Sequence, residues 1–260
     1  MKICVIGLGE IGSTVMKAIK EAKTDDELYG LDIDNKILEQ RKKEGFNVGK
    51  MYSSEHDVYI VSVWTTDQVF KVMSCIDRSN NPLIVIESTI NPGTMKELKK
   101  KYTNVDIVCF PHRYFKDDPN YDVFNLKRVM GATNEKAIKR ALEFYTKYMD
   151  KDLIHVTDME IAELCKPLEN SIRYVDIAFA EEVRMLCEER NISFKKLREA
   201  VNTKWNIELK EARDGISRHC LPKDIEIIMD VFDNSLFFEC AKKTDMIYKA
   251  MVREWKKKQK

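Results

Sequence analysis

Apolar positions follow two different rhythms along the chain. In the first part, short β-branched runs at residues 2–6, 27–31, 57–63, 83–87, 105–110 and 128–130 read as buried strands. Between them, apolar residues three or four apart predict helices over 13–23, 35–44, 67–76, 95–101 and 134–148. Strand and helix thus alternate up to about Lys151. That alternation predicts an α/β fold, a doubly wound and mostly parallel sheet covered on both faces.

After residues 153–156 the rhythm becomes helical only. Thr157 and Glu160 have the spacing of a capping box. A long helix then runs to about Arg190, with Ile161, Leu164, Leu168, Ile172, Val175, Phe179, Val183 and Leu186 on one stripe. Its length predicts a central helix or an oligomer interface, and Pro167 inside it predicts a kink. Ser193 is placed to cap a helix through Val201. Further helices are expected over 204–213, from Pro222 onward, and over 235–255. The expected domains are 1–152, binding a dinucleotide, and 153–260, an all-helical part built on the long helix.

The opening strand feeds Gly7-Leu-Gly-Glu-Ile-Gly12, the spacing G-x-G-x-x-G, and a helix follows at once. Gly7 suits the tight turn, Gly9 a close backbone approach to pyrophosphate, and Gly12 close helix–strand packing. Glu10 and Ile11 complete the turn, where helix N–H groups face a phosphate. Asp32 lies 20 residues past Gly12, at the end of the second strand. There a carboxylate holds ribose hydroxyls and repels a 2′-phosphate, so NAD is expected rather than NADP. Thr65 follows the third strand at the edge where open α/β sheets bind ligands. The competing reading is a doubly wound domain without its ligand.

Composition narrows the function classes. The 260 residues contain 44 Lys+Arg and 43 Asp+Glu, so no overall field favours nucleic acid or an anionic membrane. No stretch has the length of a membrane span, and the N-terminus enters a strand directly. The seven cysteines include no C-x-x-C pair, and no His or Cys has metal-ligand spacing. A cytoplasmic protein without a structural metal is expected.

Two groups stand out as chemistry. Lys166 and Asn170 are four apart on the long helix, with Arg173 close to the same line and roughly opposite the apolar stripe. On spacing alone this line reads as a solvated face. Far down the chain, Cys220 sits between His219 and Pro222 in a polar, partly cationic loop, with Asp224 four residues on. Cations beside a thiol favour the thiolate nucleophile, although most cysteines are buried and inert.

These stretches resemble the UDP-glucose/GDP-mannose 6-dehydrogenase family of NAD-dependent nucleotide-sugar dehydrogenases. The resemblance rests on Gly7 to Gly12, Leu31-Asp-Ile-Asp34, Glu87-Ser-Thr-Ile-Asn-Pro-Gly-Thr94, Ala162-Glu-Leu-Cys-Lys166 with Asn170, 177–182, and His219-Cys-Leu-Pro-Lys-Asp224. The last is the most specific. It implies a Rossmann domain followed by a helical substrate domain, and oxidation of a sugar's primary alcohol to a carboxylate with two NAD. Carried over, Cys220 forms a thiohemiacetal and then a thioester, Lys166 stabilises oxyanions, and Asn170 orients the sugar. Asp224 and Thr89 position water. The implied partner is a small-molecule sugar derivative, with a homodimer formed through residues 157–190.

The sequence also departs from the family. A counterpart of the family's third, nucleotide-binding domain is not expected within these 260 residues. His112 follows Pro111 where a catalytic glutamate is usual, which makes His112 a candidate base or substrate contact beside Arg173. Ser217 and Arg218 stand where glycines are common. Two other readings remain open: a β-hydroxyacid-type dehydrogenase using Lys166 as acid/base without Cys220, and a non-catalytic NAD-binding dimer.

Overall fold

Residues 1–51, 56–114, 118–217, 219–233 and 235–258 are described in a computed structural model. The chain divides into two compact units, Met1–Lys166 and Pro167–Lys260. The boundary falls inside one long helix.

The described residues of the first unit form eight strands: β1 (Lys2–Ile6), β2 (Glu27–Leu31), β3 (Val48–Gly49), β4 (Val58–Val61), β5 (Leu83–Ile86), β6 (Asp106–Cys109), β7 (Arg128–Ala132) and β8 (Ile154–Val156). They lie in the order β3-β2-β1-β4-β5-β6-β7-β8. All pairs are parallel except β6 with β7. The order reverses direction at β1 and β4, the switch point where open α/β sheets bind ligands. The two-residue β3 was not expected; it is too short to leave a periodic signal.

Helices α1 (Glu10–Glu21), α2 (Asn35–Lys43), α3 (Thr66–Cys75), α4 (Thr94–Lys101) and α5 (Glu135–Tyr145) cover the two faces. Alternate residues of each strand feed separate cores. Ile3 and Val5 pack with Val15, Met16 and Ile19 of α1 and with Ala141 and Phe144 of α5. Cys4 and Ile6 pack with Val69 and Met73 of α3 and with Leu98 of α4. Burial on both faces explains the unbroken apolar runs in the sequence. The unit is thus a doubly wound Rossmann sheet.

Helix α6 (Met159–Glu189) is continuous for 31 residues, through Pro167. It begins two residues after Thr157, so Asp158 rather than Thr157 precedes its first turn, and the Asp158 carbonyl accepts from Ala162 N. In the first unit, Gly131 of β7 lets α6 approach closely. A Cβ at Gly131 would crowd the Met159 Cα and the Asp158 carbonyl.

The second unit adds α7 (Phe194–Val201), α8 (Cys220–Val231) and α9 (Leu236–Lys258). Ser193 caps α7 as expected, accepting from Lys196 N. Residues 204–213 form no helix. Their backbone is instead tied to α7: Arg198 Nε and Asn202 Nδ2 donate to the Leu209 carbonyl, and Leu209 N donates to Asn202 Oδ1. Side chains of α7 therefore satisfy groups that a helix would have satisfied.

On the long helix the expected solvated line is split: Asn170 is buried, Lys166 half-buried and Arg173 exposed. Ile161, Leu168, Ile172, Phe179 and Leu186 of the apolar stripe are exposed, Phe179 by 60%. The buried positions of this helix in the second unit are Pro167, Asn170, Ser171, Tyr174, Ala178, Ala180, Glu181 and Cys187. The chain's own core therefore uses the small and polar residues of this helix. Among the described residues, no helix is long and apolar enough to cross a membrane.

Candidate functional site

In the first unit, the glycine turn joins β1 to α1. Gly7 has φ +87°, in the left-handed region that glycine favours. A Cβ there would collide with the Ser62 carbonyl, and one at Gly12 with the Gly7 carbonyl. Gly9 differs, since a Cβ there would meet nothing within 4 Å. It is the N-cap of α1 and supplies no side-chain cap, so the first-turn amides, through Glu10 and Ile11, are left to a ligand. Gly7 and Gly12 are thus fixed by packing, while Gly9 keeps a space clear. That arrangement fits a pyrophosphate.

Asp32 follows β2 and is half-buried. Its Oδ2 accepts from Leu8 N at 2.7 Å and its Oδ1 from Asp34 N at 2.9 Å. The carboxylate is thereby tied to the glycine turn, where a ribose would lie beside a bound pyrophosphate. Thr65 is the N-cap of α3, forming a capping box with Gln68. Its hydroxyl accepts from Gln68 N at 3.2 Å.

A buried charge cluster stands at the C-terminal ends of β5 and β6. Glu87, fully buried, accepts from Arg128 Nη2 and from the Tyr145 hydroxyl, each at 2.8 Å on Oε1. Its Oε2 lies 2.6 Å from His112 Nε2. Arg128 also donates to the carbonyls of Phe110 and Pro111 and stacks over the Phe110 ring. Burial favours the neutral acid, but His112 and Arg128 outweigh it and hold Glu87 down at about 2. Burial first, then Arg128, push His112 below the usual histidine range, against the pull of Glu87; Lys166 adds to the depression. A neutral His112 donates Nε2–H to Glu87, leaving Nδ1 as the base. That atom is buried and has no hydrogen-bond partner among the described residues.

Thr89 lies two residues past Glu87 in the turn before α4 and is half-buried. The turn is pinned at both ends. Ser88 Oγ accepts from Val63 N at 2.8 Å. Glu163 of α6 accepts from Gly93 N at 3.0 Å and from Met95 N. That carboxylate caps α4, whose N-cap Gly93 has no side chain to do so. Lys166, half-buried, lies one turn further along α6.

In the second unit, Asn170 is buried rather than solvated. Its Nδ2 donates to Asp224 Oδ2 at 2.6 Å. Ser171 Oγ bonds the Pro167 carbonyl at 2.9 Å and the Asp224 carbonyl at 3.3 Å. Asp224 sits on α8, 2% exposed, with Lys223 Nζ at 2.7 Å from its Oδ1. Cys220 is the first residue of the same helix, exposed, one turn before Asp224. The helix therefore begins at Cys220, earlier than the expected Pro222. Arg173 is exposed and does not join Asn170 in the interior. Ser217 is exposed, and Arg218 lies outside the described residues.

Sequence reading gave no role to Glu87, Arg128, Tyr145 or Glu163. Only Arg128 carried a signal, a cation at the head of an otherwise apolar strand. The other three gain meaning from partners at distant positions.

Comparison with known proteins places these features in context. Residues 65–149 match the UDP-glucose/GDP-mannose dehydrogenase family, NAD binding domain, and residues 160–246 match the central domain of the same family. The chain is 26% identical to a UDP-N-acetyl-D-mannosamine dehydrogenase of Methanococcus vannielii, over 93% of this chain and 64% of that protein. It is 27% identical to one of Pyrococcus horikoshii, over 88% of this chain and 64% of that protein. The chain thus spans less than two thirds of the length of these relatives. The solved structure of a UDP-D-ManNAc dehydrogenase from Pyrococcus horikoshii superposes with TM-score 0.80 at 23% identity, covering 96% of this chain and 69% of that one. A 3-hydroxyisobutyrate dehydrogenase from Salmonella typhimurium shares the fold, with TM-score 0.72 at 14% identity over 97% of this chain and 99% of that one.

Proposed function

Since the chain belongs to the UDP-glucose/GDP-mannose dehydrogenase family, we propose that it is an NAD-dependent oxidoreductase converting the primary alcohol of a nucleotide sugar to a carboxylate. The substrate class is a nucleotide-linked N-acetylhexosamine of the kind named for its relatives. The observation that carries this reading is the buried Asn170–Asp224 bond one turn from Cys220. A positioned amide and carboxylate beside an exposed thiol at a helix N-terminus suit covalent capture of an aldehyde.

The glycine turn with Glu10 and Ile11 would hold the pyrophosphate of NAD and Asp32 its ribose, with Thr65 at the sheet edge. NAD held there would supply the hydride acceptor for both oxidations. The Cys220 thiolate adds to the aldehyde carbon, forming a C–S bond and an oxyanion. Lys166 and Asn170 stabilise that charge. Loss of hydride gives a thioester, which water cleaves, releasing the thiolate and the acid. The second unit offers Asp224 to orient that water; the first offers Thr89 for the same role and His112 Nδ1 as the base in place of the family's glutamate.

The test is to supply UDP-N-acetylmannosamine and NAD and count NADH per sugar. Two are expected for wild type, and Cys220→Ser should stop before the acid. Full turnover to acid by Cys220→Ser would overturn the covalent route. One NADH per molecule on a small hydroxyacid, insensitive to Cys220, would support the β-hydroxyacid alternative favoured by the end-to-end fold likeness to 3-hydroxyisobutyrate dehydrogenase.

The same reading includes a homodimer through residues 157–190. Ile161, Leu168 and Val175 recur every seven residues, as do Ile172, Phe179 and Leu186, and most are exposed. Such a stripe seeks a second helix. Sedimentation should give twice the chain mass, and the monomer mass for Ile172→Glu/Phe179→Glu. An unchanged mass for that variant would place the interface elsewhere.

A further inference from the structure

The segment leading into α8 is held by a polar clamp from α9. Gly215 has φ +98°, and a Cβ there would collide with the aliphatic stem of Lys249. The next residue, Ile216, has both backbone polar groups engaged. Its N–H donates to Asp245 Oδ1 at 2.8 Å, and its carbonyl accepts from Lys249 Nζ at 2.7 Å. Asp245 and Lys249 are one turn apart on α9 and are paired at 2.7 Å. The Tyr174 hydroxyl of α6 donates to Asp245 Oδ2 at 2.8 Å. The Ile216 side chain is buried in the core with Tyr174, Ala178, Ile225 and Ala241.

Ile216 is therefore fixed at its N–H, its carbonyl and its side chain, four residues before Cys220. Buried backbone groups need partners, but a turn or a helix supplies them without charge. The pair itself is only half-buried, with the Lys249 side chain 33% exposed, and such pairs add little stability of their own. Here both members of the pair grip the backbone of Ile216, four residues before the first turn of α8.

We propose that Asp245 and Lys249 are positioning residues for Cys220, setting the sulfur's place at the α8 N-terminus by clamping Ile216. This rests on Cys220 being the nucleophile. Displacing a reacting group by about 1 Å costs about a hundredfold in rate, and Ile216 is a point at which α9 holds the segment entering α8. Cys220 is already exposed. Loosening the loop therefore gains the sulfur no access and changes only its placement at the helix N-terminus.

The test follows alkylation of the Cys220 peptide by iodoacetamide, resolved by mass spectrometry, beside thermal melting. Wild-type Cys220 should react faster than a free thiol. Asp245→Ala and Lys249→Met should slow it by about tenfold, and Lys249→Arg should restore most of the rate. Tyr174→Phe removes a bond to Asp245 but leaves both grips on Ile216. It should lower the melting temperature and keep the Cys220 rate within about twofold. Wild-type rates in Asp245→Ala and Lys249→Met would overturn the clamp, as would rates that simply follow the melting temperature across all variants, Tyr174→Phe included. If wild-type Cys220 reacts no faster than a free thiol, the nucleophile reading itself fails, which is a separable result.

Discussion

Asn170 and Asp224, 54 residues apart in the chain, meet in a buried 2.6 Å hydrogen bond between α6 and α8. Removing the acceptor strands a buried amide. Asp224→Ala should cost about 1–3 kcal/mol in urea unfolding. A double-mutant cycle with Asn170→Ala should show a coupling of at least about 0.5 kcal/mol. Additive losses would mean that the bond contributes nothing beyond its parts.

The three glycines of the first turn should separate by experiment. Gly12→Ala forces a Cβ against the Gly7 carbonyl and should destabilise the first unit by about 1–3 kcal/mol. Gly9→Ala meets nothing, at φ −62°. Its unfolding free energy should stay within about 0.5 kcal/mol of wild type. Its NAD dissociation constant, measured by calorimetry, should rise about tenfold or more, a loss of about 1.4 kcal/mol. Unchanged NAD affinity in Gly9→Ala would show that the cleared space serves something else.

Glu87 holds a buried guanidinium. Glu87→Gln leaves Arg128 without its counter-charge and should cost about 3–5 kcal/mol. The pH dependence has a defined sign. The folded-state pKa is depressed to about 2 from the ordinary 4.5. Its contribution is therefore complete above pH 4.5 and is lost as the pH falls toward 2. Urea midpoints over that window should decline in wild type more steeply than in Glu87→Gln.

Glu181 has the opposite sign. It is fully buried, and neither oxygen has a hydrogen-bond partner among the described residues. Burial and then Asp245 push it up to about 8, with Lys249 pulling the other way. The unfolded chain ionises this group near 4.5 while the folded chain keeps it protonated. Its effect is thus a loss of stability as pH rises from about 4.5 to about 8, levelling above that. Glu181→Gln should flatten the decline, read from urea midpoints at pH 5 and 8.5. An unchanged slope would place the titration on another group.

Much of the first unit was legible because its signals are local. A strand buried on both faces must be apolar throughout, and a glycine turn that opens a helix is written in consecutive residues. The strands at 2–6 and 27–31 and the cap at Ser193 follow from neighbouring side chains alone. The region 204–213 was misread because helical spacing there competes with Asn202 and Arg198, whose hold on Leu209 cannot be seen in a linear pattern.

The sequence by itself determined the alternating α/β half, the helical half and the residue types able to do this chemistry. Periodicity and turn chemistry act over a few residues and need no fold to be read. Only the tertiary structure decided which face of α6 the chain covers, that Asn170 is buried against Asp224, and that Glu87 gathers Arg128, Tyr145 and His112. Burial and pairing are relations between distant positions. A polar residue on a helix line looks solvated until another element arrives to accept its hydrogen bond.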